Sequence, residues 1–506
     1  MTCKNASGNS GPEAGSKLVF IDLVQDGQRV QGLCNLNTLS GSGAALEDFQ
    51  RFYHIARRGD IYAITGFPHR TSRGELSITA TKLPQLLTPS LRPLPTEILD
   101  PATRMRNRHL DMLVTRRTSD TLRLRSYLIQ ALRSFLLDRN FLEVGTPLLA
   151  DGAGGAIARP FITSATEFPE KRLSLRIAPE LWLKRLVIGD MDRVFEIGPC
   201  FRNEGLDTTH NPEFTTCEFY AAYTGIEELM AMSEEVMVHL ARETERLKAK
   251  KFPSLPAVEV NFQRPFKRID FIPALEAALS ITLPDFSSPD AQSSILKTFT
   301  DLAIPPPNNP TLPRLLDKLA SLYIEPQCTE PSFIVQAPEC LSPLSKSYIH
   351  PHTSRRQRVS ARAELFVHGR ELLNTYEEEN SPFEQRRKFE EQMKLRTSSP
   401  SSPPSVSPKF TSSTAATSKS APIEATDAEE GSKGATMEID ESYISALEHG
   451  LPPTGGWGCG IDRLVMLFAG AARIGDVLPF GNLRNVVALG SGSGSGNGNG
   501  SAQKKS

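Results

Sequence analysis

Arginine, glutamate, histidine and aromatic residues recur through one stretch, Arg193 to Tyr223, RVFEIGPCFRNEGLDTTHNPEFTTCEFYAAY. Two alternating runs flank a polar loop from Asn203 to Asn211, the pattern of a hairpin with a long turn. Period-two alternation predicts Arg202 and Glu204 on one face of the outgoing strand, and Phe214, Thr216, Glu218 and Tyr220 on one face of the return strand. A buried sheet face with this much charge calls for a charged ligand, because desolvating unpaired carboxylates and guanidinium groups is costly. An exposed face with ordinary surface ion pairs is the other reading of the same residues.

Two further stretches carry chemistry. ARAELFVHGRELLNTYEEE (361–379) alternates, with a bend expected at Gly369. Its second limb is predicted to place Arg370, Leu372, Asn374, Tyr376 and Glu378 on one side and Glu371 on the other. Folding at Gly369 would bring Glu364 near Glu371, and paired carboxylates suit an Mg²⁺ that bridges nucleotide phosphates. Two solvated acids at strand ends are the alternative. In LPPTGGWGCGIDRLVMLFAG (451–470), the glycines at 455, 456, 458 and 460 let the backbone approach something flat or phosphorylated. Arg463, near the start of the apolar helix that follows, needs an anion, either a neighbouring acid or a ligand.

The elements that would position these residues are legible in order. Residues 1–17 read as a disordered leader. LVFIDLVQDGQRVQGLCN (18–35) gives two alternating runs around a Gln25-Asp26-Gly27 turn. A helix candidate, 45–58, and the runs 61–71 and 74–83 complete a small barrel of the oligonucleotide-binding type, spanning 18–100. Four strands can be counted where five are expected, so the first would lie upstream of Leu18. Pro-rich 83–101 reads as a linker. Helices are expected over 119–140, from Glu180 with Pro179 in its first turn, from 224 to about 251, and from a Ser381/Glu384 capping box. Residues 252–331 have no clear pattern. The Ser/Thr/Pro/Ala-rich segment 397–437 reads as a disordered insertion within a second domain, 101–487, and 488–506 as a flexible tail.

The chain has 506 residues, 39% hydrophobic, with a formal charge of −1. No apolar run approaches the ~20 residues of a membrane span. With no global basic field, any nucleic acid must be held by local patches. Seven cysteines (Cys3, Cys34, Cys200, Cys217, Cys328, Cys340, Cys459) are scattered without CxxC spacing, which argues for a reducing compartment and against structural zinc.

Together, FRNEG, HNPEFT, EFY and GGWGCGIDR resemble the second and third motifs of class II aminoacyl-tRNA synthetases, and the GTP of FLEVGTP resembles the first. ARPFIT, RIAPEL, LSPL, GRE and GLPPT bring the resemblance to the bacterial and organellar lysyl-tRNA synthetases, in order over 18–487. It implies an α+β architecture, with an N-terminal OB-fold barrel before a catalytic antiparallel sheet flanked by helices, acting as a homodimer. It implies that Arg202 clamps the α-phosphate and the substrate carboxylate, and that Arg463 holds the far phosphate of a bent ATP. Glu204, His210 and Phe214 match positions around the adenine, while Glu364 and Glu371 match the Mg²⁺ ligands. Gly155 and Glu180 match contacts to the α-ammonium, and Asn374 the residue that meets the carboxylate.

Glu218, Tyr220, Tyr376 and Glu378 match the residues that receive the ε-ammonium, and two carboxylates with two phenol rings suit a buried cation. An aspartyl or asparaginyl enzyme would want a cation or amide there, so pocket charge argues for lysine. Phe20 and Gln31 match the positions that stack on and hydrogen-bond the middle anticodon base of tRNA(Lys). From Phe20's own strand alone, a place in the barrel core is the simpler reading. The chain departs from the family at Glu379-Asn380-Ser381, at Trp457 and Cys459, and in the 397–437 insertion. The insertion and the ending VLPFGNLRNVV resemble fungal mitochondrial forms, which implies the mitochondrial matrix, with the cytoplasm as alternative. Any presequence would lie upstream of this chain.

Overall fold

The computed structural model describes residues 2–8, 17–41, 43–72, 74–152, 154–155, 158–353, 355–397 and 439–490. The chain forms two compact units, 1–120 and 121–506. The expected insertion, from 398 on, and the expected tail, from 491 on, lie outside the described residues. Residues Leu483–Gly490 form a helix, which takes in 488–490 of the expected tail.

In the first unit, β1 (Thr2–Gly8), β2 (Leu18–Gln25), β3 (Gln28–Asn35), β4 (Ile61–Ala63), β5 (Gly66–Arg70), β6 (Leu76–Ala80) and β7 (Gln85–Thr88) form one sheet in the order β5-β6-β3-β2-β1-β4-β7. β1 corrects two expectations. The stretch read as a leader contributes a strand, and that strand is the one missing from the count. β7 likewise lies inside the expected linker. β4 and β5 are two residues apart in the chain yet far apart in the strand order, so one segment borders both β1 and β6, and among the described residues no continuous ladder closes a barrel.

The β2–β3 turn is two residues, Asp26 and Gly27, both at positive φ, with Gln25 opposite Gln28. This is the primed-turn geometry that matches strand twist. On β2, Val19, Ile21 and Leu23 are buried against Phe49 and Phe52 of the helix Leu46–Ile55. Phe20 therefore falls on the opposite face and is half-buried, which corrects the barrel-core reading.

In the second unit, β8 (Leu142–Glu143), β9 (Leu149–Ala150), β10 (Ile162–Ala165), β11 (Phe168–Leu175), β12 (Arg193–Phe201), β13 (Glu213–Ala222), β14 (Lys267–Asp270), β15 (Ser332–Val335), β16 (Ser347–Ile349), β17 (Arg358–Ser360), β18 (Arg362–Val367), β19 (Arg370–Glu377) and β20 (Thr454–Gly460) follow one another. Eight make the central sheet, β14-β15-β18-β19-β20-β13-β12-β8. Alternation gives that sheet two unlike faces. Cys217, Phe219 and Ala221 of β13, Leu373 of β19, and Trp457 and Cys459 of β20 enter the core. There they meet Leu124, Leu128 and Leu132 of the helix Arg116–Leu137, and Leu229 and Leu240 of the helix Ile226–Lys250. Each such aliphatic side chain contributes about 1.5–3 kcal/mol by burial. The even-numbered residues of β13 and β20, and Asn374 and Tyr376 of β19, are left to the other face. Patternless 252–331 resolves into the helices Phe271–Leu279, Ala291–Asp301 and Leu312–Tyr323, packed around Leu275, Ile295 and Leu315.

Two period-two expectations fail locally. β12 ends at Phe201, so Arg202 and Glu204 belong to the loop, where the Arg202 N–H donates to Pro212 O at 2.8 Å. In β18–β19, Leu365 pairs with Leu373 but Phe366 pairs with Glu371, which leaves Leu372 as an extra residue. This bulge reverses the parity of β19, and Glu371 turns to the same side as Asn374 and Tyr376.

Candidate active site

The polar face of the central sheet floors a cavity of about 1160 Å³. Gly155, Glu180, Arg202, Glu204, His210, Phe214, Glu218, Tyr220, Glu371, Asn374, Tyr376 and Arg463 all line it. Glu364 and Glu378 are not on its wall. Pairing arranges the floor in rows, with Glu218, Gly458 and Asn374 in one, continued beyond the cavity by Glu364, and Tyr220, Gly456 and Tyr376 in the next. Gly456 lies between the two tyrosine-bearing strands because a Cβ there would overlap Glu378 Oε1 and stand 2.8 Å from Tyr220 Cε1. Gly155, at φ +94°, approaches Glu180, where a Cβ would stand 3.1 Å from the Glu180 Cβ.

One end of the cavity is cationic. Arg202 lies over the Phe214 ring, 5.0 Å from its centroid, and within its side chain Nε donates to Ile177 O at 3.4 Å. Its terminal nitrogens, with no hydrogen-bond partner among the described residues, can serve a bidentate anion. Arg463 opens the helix Ile461–Ala469, where Nη1 donates to Glu371 Oε2 at 3.2 Å and Nη2 to His210 Nε2 at 2.9 Å. An arginine only donates, so the His210 proton sits on Nδ1 and is given to Asp207 at 2.7 Å. Asp462 takes Arg125 at 2.5 Å and the Thr215 N–H at 2.8 Å, and so fixes the start of the helix that carries Arg463.

The other end is anionic and aromatic. Tyr220 donates to Glu218 at 3.3 Å, and Tyr376 to Glu180 at 2.8 Å. Burial, with Glu180 nearby, pushes the Glu218 carboxyl up to about 8. Glu378 is fully buried, which raises its carboxyl well above the glutamate range, and its Oε1 has no hydrogen-bond partner among the described residues. Sequence reasoning missed the group between these acids. Lys184, fully buried, donates to Glu180 Oε1 at 2.5 Å and ion-pairs with Glu378 Oε2. Its spacing of four from Glu180 within the apolar helix Glu180–Ile188 was the available signal. Also missed were Arg176, buried against Glu196 at 2.5 Å and Thr146 at 2.9 Å, and Arg362, which holds Asn374 at 2.9 Å and pairs with Glu364.

Beneath Arg463, Glu364 and Glu371 meet Asp317 and Glu325. Burial, and after it the neighbouring acids Asp317 and Glu371, push Glu325 up to about 7. Glu364 reaches about 7 through burial, opposed by Arg362 and reinforced by Glu371. Among the described residues no three acid, His or Cys side chains converge tightly enough to hold a metal alone. Two carboxylates completed by phosphate oxygens and water are the arrangement Mg²⁺ favours, and these residues fit it.

The model of the class II tRNA synthetases (D, K and N) matches residues 100–484. The chain belongs to that family. It is 38% identical to the mitochondrial lysine–tRNA ligase of Schizosaccharomyces pombe, over 94% of this chain and 82% of that protein. It is 40% identical to a probable cytoplasmic lysine–tRNA ligase of Encephalitozoon cuniculi, over 93% and 85%. Against a lysine–tRNA ligase of Carboxydothermus hydrogenoformans the identity is 35%, over 84% and 78%. Within the class II synthetases the chain thus falls among the lysine–tRNA ligases. Those relatives are mitochondrial, cytoplasmic and bacterial, so compartment varies within the group. Among the described residues no helix is long and apolar enough to cross a membrane.

Proposed function

We infer that this class II synthetase is a lysine–tRNA ligase, which joins L-lysine to the 3′ end of tRNA(Lys) with ATP as the energy source. The observation that carries the lysine assignment is Glu378 Oε1, a carboxylate oxygen buried just behind the cavity wall at Gly456 and near Tyr220, with no hydrogen-bond partner among the described residues. An ammonium group is the ligand that oxygen lacks, and an aspartate side chain would be repelled there.

In the first step an oxygen of the lysine carboxylate attacks the α-phosphorus in line, and pyrophosphate leaves. Arg202 clamps the α-phosphate and the attacking carboxylate, and Asn374, oriented by Arg362, meets the carboxylate from the floor. Arg463 gives up its contacts to Glu371 and His210 for the terminal phosphate, while Phe214, Glu204 and His210 hold the adenine. Glu180 and Gly155 take the α-ammonium, and Glu218, Tyr220, Tyr376 and Glu378 the ε-ammonium. In the second step the terminal ribose hydroxyl of tRNA attacks the carbonyl of the adenylate and AMP departs. Positioning and charge neutralisation supply the acceleration. Glu364 and Glu371 would hold Mg²⁺, which neutralises phosphate charge when bound. On the first unit, Phe20 and Gln31 lie on the outer face of paired strands and read the anticodon. We further assign homodimeric assembly and the mitochondrial matrix, the latter on likeness to the fission-yeast protein.

Amino-acid-dependent ATP–pyrophosphate exchange tests the reading. Exchange is expected with lysine and at background with aspartate and asparagine. Exchange with aspartate and not lysine would overturn it.

A further inference from the structure

Behind the cavity wall lies a resident ammonium that the amino-acid chemistry does not use. Lys184 lies one helical turn after Glu180, with 0% of its side chain exposed. Its Nζ joins two carboxylates from different segments, Glu180 at 2.5 Å and Glu378, the residue after β19. The rings of Tyr220, Tyr376 and Tyr443 surround it at 5.8, 5.8 and 6.0 Å. Tyr376 donates to the same Glu180 oxygen that Lys184 holds.

We propose that Lys184 is a positioning residue that pins Glu180 and Glu378 at a fixed separation and thereby sets the length of diamino acid the cleft accepts. The inference rests on the assignment of Glu180 to the α-ammonium and Glu378 to the ε-ammonium. A carboxylate on a loose strand end could follow a shorter amine inward. One clamped through a buried ion pair cannot, because breaking that pair would strand a charge out of water. The cleft then measures the distance between the two amines of its substrate. Ornithine, shorter by one methylene, leaves one carboxylate unmet, and a difference of one methylene in a rigid site is worth about 10–200-fold in discrimination. Glu378 Oε2 goes to the resident lysine and Oε1 remains for the substrate, so the two ammoniums share the carboxylate without competing.

The test compares lysine and ornithine in pyrophosphate exchange for the full chain, Lys184→Met and Lys184→Arg. Lys184→Met keeps the length of the side chain and removes its charge. It is expected to raise KM for lysine about tenfold or more, to lower the lysine-to-ornithine ratio of kcat/KM by a similar factor, and to leave KM for ATP within about twofold. Lys184→Arg, which keeps the charge, is expected to recover part of the ratio. A folded Lys184→Met with the wild-type ratio overturns the proposal. If wild type itself shows no lysine-dependent exchange, the assignment beneath it has failed instead. Should both variants fail to fold, reductive methylation of native wild type decides. The Lys184 amine is expected to stay unmodified while exposed Lys171 reacts, and equal labelling would overturn the clamp.

Discussion

Gly456 matters for the side chain it lacks. Any Cβ there meets Glu378 Oε1, so Gly456→Ala must push that carboxylate off its position. KM for lysine is expected to rise by about tenfold or more while KM for ATP changes by less than about twofold, measured by pyrophosphate exchange. Equal losses for both substrates would contradict the division of the cavity into two ends. Glu218 gives a second prediction, in pH. Its carboxyl is raised to about 8 by burial and then by Glu180, and an arriving ammonium favours the ionised form. Lysine binding should therefore release a proton near neutral pH, and KM for lysine should fall as pH rises from about 7 to about 8.5. The sign for stability is opposite in the free protein. A carboxyl raised in the folded state stabilises fully below its unfolded value, near 4.5, and that contribution is lost as pH rises through about 8. Glu364 and Glu325, each raised to about 7, act in the same direction. Melting without lysine should decline across that window and decline less with lysine bound. Parallel pH curves with and without lysine would count against Glu218 as its partner.

At the scale of elements, alternation was legible wherever a strand ran straight. Phe214, Thr216, Glu218 and Tyr220 share the cavity face as their spacing requires. It failed where backbone pairing intervened, since the end of β12 at Phe201 and the extra Leu372 in β19 are decided by neighbouring strands. Lys184 was hidden for another reason. A lysine in an apolar helix reads as a side chain reaching for solvent, and its two carboxylate partners become visible only when β19 and the helix Glu180–Ile188 are placed together. Asp462 is the element-scale test. It ties the helix Ile461–Ala469 to Arg125 and to the Thr215 backbone, so Asp462→Ala strands a largely buried guanidinium and frees the segment that aims Arg463. A loss of about 3 kcal/mol in denaturant unfolding is expected, with a raised KM for ATP. A variant as stable as wild type would show that Arg463 is positioned by other contacts.

Over the whole molecule, the division of labour between the two compact units is the claim most exposed to experiment. The first unit was only partly legible. Its apolar strands announced themselves, but β1, with the sequence TCKNASG, carries no branched aliphatic residue and is a strand through its pairing, with β2 along Thr2 to Gly8 and with β4 at Thr2. The face proposed to read RNA followed from β2, whose buried Val19, Ile21 and Leu23 leave Phe20 outward. On β3, Gln31 pairs with Asp22 on that same outer face and accepts a hydrogen bond from Ser77 at 3.2 Å. Stacking a base on an aromatic ring contributes about 1–3 kcal/mol. Phe20→Ala is therefore expected to raise KM for tRNA(Lys) in aminoacylation by about 5–150-fold. Lysine-dependent pyrophosphate exchange needs no RNA and should stay within about twofold of wild type. A loss of exchange would mean that Phe20 supports the fold and not the anticodon, whereas unchanged aminoacylation would move RNA reading to another surface of the chain.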